Sequence, residues 1–65
     1  MTAKEAVTLF KSECFTNKRE WKRFSKRYYT RNCSTIVKTI SKRYNISEKK
    51  IKEELMLQMK AALAE

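Results

Sequence analysis

Not one of the 65 residues is glycine or proline. Those two residues supply the positive and the preset φ angles on which tight β-turns depend, so a chain without them has poor means of folding short strands back on each other. Its connections must use Asn, Ser and Thr, which suits short loops between helices. Ala, Leu, Lys, Glu, Arg and Met make up much of the remainder, and no long run alternates apolar with polar residues, so helix formers dominate without a strand pattern to oppose them. The expectation is all-α: a small bundle of about four short helices in one domain spanning 1–65. A core of this size stabilises a fold by only about 3–5 kcal/mol without metals, disulfides or a partner subunit.

Capping signals and apolar spacing place the helices. Thr2-Ala3-Lys4-Glu5 has the form of a capping box, in which hydroxyl and carboxylate satisfy the free backbone donors of a helix start. A first helix over about 3–14 follows, with Ala3, Ala6, Val7, Phe10 and Cys14 recurring at three and four as an inward stripe. Thr16-Asn17 followed by Glu20 signals a second start, and the spacing predicts a helix over 18–30 with Trp21, Phe24 and Tyr28 on its inner face. Asn32-Cys33-Ser34 is polar enough to turn the chain. A third helix over 34–44 directs Ile36, Val37, Ile40 and Tyr44 inward, and Ser47, with Glu48 in the first turn, opens a fourth over 48–63. There Ile51, Leu55, Met59 and Ala62 form a stripe, while Met56, Leu57 and Leu63 spread apolar surface onto other faces. That surplus points to a homodimer contact through the end of the C-terminal helix.

Charge is the strongest functional signal. Sixteen Lys and Arg against seven acids leave a net +9, which implies an anionic partner. From Lys18 to Arg31 there are seven cations against the single acid Glu20, and Lys18, Lys22 and Lys26 with Arg19, Arg23 and Arg27 repeat every four residues opposite the aromatics. Like charges at that spacing repel one another, so the row fits a surface that meets phosphates or carboxylates in use. Cys14 and Cys33 have no His and no further Cys beside them, so a zinc site lacks ligands; they read as small core or boundary thiols of a reducing, intracellular protein, with one disulfide as the lesser alternative. No segment approaches the roughly 20 apolar residues of a membrane span, and no signal-peptide core is expected at the N-terminus. With no His, no Asp and no glycine-rich phosphate loop, neither an enzyme nor a cofactor is expected.

The run Ile40-Ser41-Lys42-Arg43-Tyr44-Asn45-Ile46-Ser47-Glu48-Lys49-Lys50-Ile51-Lys52-Glu53-Glu54-Leu55 resembles the core of a helix-turn-helix, closest to those of LuxR/GerE-type regulators and sigma-factor region four. A small residue, Ser41, stands where two helices cross. Asn45 holds the turn position that favours a left-handed conformation, Ile46 plugs the turn, Ser47 caps the second helix, and Ile51 and Leu55 anchor it. The resemblance implies that the helix from Glu48 enters the major groove of double-stranded DNA. By the same carry-over Lys49, Lys50, Lys52 and Glu53 are the candidates for base or phosphate contact, with Lys42 and Arg43 near the backbone.

The leading expectation is therefore a small DNA-binding protein, a transcriptional regulator of phage or mobile-element type, with Lys18, Lys22, Arg23, Lys26 and Arg27 gripping phosphates. The alternative is a protein-interaction module whose basic helix docks on an acidic partner such as the transcription machinery. RNA binding through Tyr28, Tyr29 and Trp21 ranks third, since the sheet platforms and glycine-bearing loops of common RNA modules are missing. A membrane-surface role for the basic helix ranks last, because its aromatics are needed inside.

Overall fold

The structure, a computed structural model, describes residues 1–31 and 34–64. Asn32, Cys33 and Glu65 lie outside the described residues, and with them the Asn32-Cys33 part of the expected turn and the Cys33 thiol. The described chain forms a small all-α bundle of four helices: α1 Ala3–Cys14, α2 Lys18–Tyr28, α3 Ser34–Tyr44 and α4 Glu48–Ala64. No strand occurs among the described residues.

Each of the first two helices starts on a side-chain cap. At α1 the Glu5 N–H donates to Thr2 Oγ1 at 3.2 Å while the Thr2 N–H donates to Glu5 Oε1 at 3.1 Å, so two otherwise unpaired donors are met reciprocally. The main-chain bond from Thr2, followed by the one from its hydroxyl, holds the Glu5 carboxyl below its ordinary pKa. At α2 the work is divided. Asn17 Oδ1 accepts from the Glu20 N–H at 3.0 Å, and the Glu20 carboxylate reaches one residue past the cap to accept from the Thr16 N–H and hydroxyl at 3.2 and 2.9 Å. Glu20 is thereby tied to the start of α2, where its charge meets the positive end of the helix dipole.

α2 ends at Tyr28, two residues before the Thr30 expected from the pattern. The Tyr29 N–H still donates to the Ser25 carbonyl at 2.8 Å, but the Arg31 N–H donates to the Tyr28 carbonyl at 3.1 Å, a tighter three-residue closure that ends the regular helix.

α4 is the element against which α1, α2 and α3 all pack. Its stripe Ile51, Leu55, Met59 and Ala62 is buried as spaced, and it meets Ala6 and Val7 of α1, Trp21 of α2 and Val37 and Ile40 of α3 in one core. Two positions differ from expectation. Cys14 is exposed, although its spacing continues the α1 stripe. The chain leaves the helix at Phe15 in an extended conformation, and the Phe15 ring fills that end of the core, 5.3 Å from Trp21 and 5.0 Å from Phe24 between centroids. The expected boundary thiol is thus a surface thiol. Ser25, unremarked in the spacing, is fully buried between the phases of Trp21 and Tyr28, and its hydroxyl has no hydrogen-bond partner among the described residues. Of the apolar surplus on α4, Met56 and Leu63 are partly buried, and Leu57 alone stands out at 63% exposure.

Candidate nucleic-acid interface

The turn between α3 and α4 follows from three residues. Asn45 adopts φ 55°, a left-handed value that costs other non-glycine residues more because its short amide bonds locally. The reversal brings the Ile46 N–H to the Ser41 carbonyl at 3.2 Å, the six-residue closure that satisfies a carbonyl at a helix C-terminus. The Ser41 hydroxyl donates to the Ile46 carbonyl in turn, and the Ile46 side chain packs against the core. Ile51 then donates to the Ser47 carbonyl at 3.0 Å as α4 begins. One small polar residue therefore binds both backbone groups of the turn residue five positions ahead, which fixes how α4 leaves α3.

All eleven nominated residues are exposed: Lys18, Lys22, Arg23, Lys26 and Arg27 on α2, Lys42 and Arg43 in the last turn of α3, and Lys49, Lys50, Lys52 and Glu53 at the start of α4. The turn brings the α3 and α4 residues to one corner of the bundle. Arg43 is held there by two contacts, Nη2 lying 2.8 Å from Glu13 Oε2 of α1 and the guanidinium 5.8 Å from the Tyr44 ring centroid. Arg27 lies similarly over Tyr28 at 5.6 Å. Such contacts restrict long side chains and reduce the entropy lost when they meet an anion.

The two basic groups are not at one end of α4. Lys18 and Lys22 line a groove with Gln58, Ala61 and Ala62, and Gln58 lies nine residues beyond Lys49, roughly 13 Å along the helix. The groove also contains Lys11 of α1, whose ammonium sits 5.4 Å from the Trp21 ring centroid. Beside it, Thr8, Ser12, Phe15, Thr16 and Asn17 line an adjoining hollow that shares Lys11, Lys18 and Trp21. Among the described residues neither lining contains an acid. Nothing in the α1 spacing marks Lys11, because its place in the groove depends on α2 folding back beside it.

Within the first turns of α4 the nominated residues divide between two sides. At about 100° per residue, Lys49 and Lys52 share one flank of the buried stripe, whereas Lys50 and Glu53 line a hollow with Ala3, Glu54 and Leu57. Among the described residues no group of three His, Cys, Asp or Glu is placed to hold a metal, and no helix is long and apolar enough to cross a membrane. No family model matches the sequence, and no curated protein or solved structure matches it.

Proposed function

We propose that this protein binds double-stranded DNA as a helix-turn-helix module in transcriptional regulation. The observation that carries the reading is the α3–α4 corner, where Asn45 at φ 55° and the paired bonds between Ser41 and Ile46 present the start of α4 with Lys49, Lys50 and Lys52 exposed. In this reading α4 enters the major groove with its first turns, and its lysines meet guanine acceptors or phosphates. Lys42 and Arg43 meet the flanking backbone, and the α2 cations extend the phosphate contacts. With about 5–7 phosphates neutralised, log affinity falls against log salt with a slope of roughly −5 to −6. Fluorescence anisotropy of labelled duplex DNA across a salt series tests this, with a Lys49, Lys50 and Lys52 triple-alanine variant alongside. Steep salt dependence with weakening in the variant supports the reading. Absence of binding at low salt removes it.

A second reading, docking of the basic helix on an acidic protein, is favoured by one observation: the groove, without an acid among the described residues, in which Lys11, Lys18 and Lys22 surround Trp21. An acidic segment bearing an apolar side chain is complementary to that lining. Under this reading reversal of Lys22, Arg23 and Lys26 to Glu abolishes capture of the partner, while the triple-alanine change in α4 leaves it intact.

A further inference from the structure

We propose that two copies of this chain pair through α4, in a near-antiparallel helix contact centred on Leu57. Leu57 is 63% exposed on the side of α4 away from Ile51, Leu55 and Met59, all fully buried. Beside it is a hollow of about 460 Å³ lined by Ala3, Lys50, Glu53 and Glu54. A twofold interface uses one patch on both partners, and with Leu57 on the axis against its own copy, the hollow of each chain, N-terminal to Leu57, faces the C-terminal part of the other chain's α4. Ala61 and Ala64, also exposed, continue the face with small side chains that allow close approach of two backbones.

The charges select the orientation. At about 100° per residue, Glu53 and Lys60 fall on one flank of Leu57 and Glu54 and Ala61 on the other. In an antiparallel pair, residues equally far before and after Leu57 meet at the same level. Glu53, four residues before it, comes within one residue of Lys60 of the second copy, three residues after it, and the twofold axis makes that pair twice. Glu54 meets Ala61, and Lys50 meets Ala64. A parallel pair exchanges the flanks, so Glu53 meets Glu54 of the second copy within one residue, a repulsion made twice, while Lys60 meets only Ala61 and gains no partner. Glu53 and Lys60 are exposed and form no ion pair or side-chain hydrogen bond with described residues, so both are available to a second copy. Repulsion between two chains of net +9 is largely screened at physiological salt, where the Debye length is about 8 Å, while contact pairs persist.

The pairing engages the Lys50 and Glu53 side of α4, so it competes with entry of that side into DNA, and its test therefore contains no DNA. Sedimentation equilibrium at about 0.15 M salt, over roughly 10–300 µM protein, measures the mass, with circular dichroism of every variant to confirm its helices. Wild type moves from one-chain to two-chain mass as concentration rises, and Leu57→Glu, a change at an exposed position, stays at one. Glu53→Lys alone and Lys60→Glu alone each weaken the dimer by about tenfold, because each replaces two attractions by two repulsions. Combining the two substitutions restores it. A one-chain mass for wild type throughout, or a dimer indifferent to the single reversals, overturns the proposal.

Discussion

Ser41 holds Ile46 at both of its backbone groups, its carbonyl accepting the Ile46 N–H at 3.2 Å and its hydroxyl donating to the Ile46 carbonyl. The closure encloses Asn45 at φ 55°, so the conformational preference of Asn45 bears directly on the α3–α4 turn. Asn45→Ala destabilises the protein by about 1–2 kcal/mol, whereas Asn45→Gly is neutral or slightly stabilising. Urea unfolding followed by circular dichroism measures both, and equal stability of the two variants would sink this account of the turn.

Ser25 presents the opposite situation, a buried hydroxyl with no partner among the described residues. Burying it unpaired costs about 1–3 kcal/mol, and alanine keeps the small size that the site accommodates. Ser25→Ala is therefore expected to raise the urea midpoint without changing the slope of the transition. A lower midpoint would show that the hydroxyl contributes to stability.

Leu55 is fully buried, on the helix against which the other three pack. Truncation of a buried leucine costs about 2–5 kcal/mol, which equals the whole stability of a domain this small. Leu55→Ala thus loses most of its helical circular-dichroism signal at 25 °C, while Leu57→Ala keeps it. Retention of a cooperative thermal transition near the wild-type midpoint in Leu55→Ala would contradict the placement of the core.

The capping box of α1 gives stability a dependence on pH. Bonds to Thr2 lower the Glu5 pKa, so the native state favours the carboxylate more than the unfolded chain does. The stabilisation is complete above the unfolded pKa and is lost as pH falls through the lower, folded value. Thr2→Ala removes the hydroxyl's part of the effect. Nuclear magnetic resonance titration of the Glu5 side chain then gives a pKa closer to the ordinary glutamate value than in wild type, and an unchanged value would refute the cause.

The Arg43–Glu13 ion pair spans α3 and α1 at 2.8 Å, with the two side chains 53% and 44% exposed. Solvent screening at that exposure limits it to about 0–1 kcal/mol, so Glu13→Gln changes the urea midpoint little. Its larger effect falls on function. Removal of the competing carboxylate tightens duplex DNA binding in the anisotropy assay by a few-fold under the proposed function, and weaker binding would place Arg43 outside the contact surface.

The sequence by itself determined the helical class, the two N-terminal capping arrangements and the buried stripe of α4. Each depends on residues within about one turn of each other: Thr2 with Glu5, Asn17 with Glu20, and Ile51 with Leu55. The left-handed turn at Asn45 was legible for the same reason, since it is a property of one residue and its immediate neighbours. Tertiary structure alone decided that Phe15 rather than Cys14 closes the core and that Ser25 is buried. It also joined Lys11 to Lys18 and Lys22, set Glu13 on Arg43 and left Leu57 uncovered while Met56 and Leu63 gained partial cover. Those outcomes depend on how helices distant in sequence cross. Helical periodicity states which side of each helix is apolar, but the crossing and the path of the loops determine which part of that side another helix reaches.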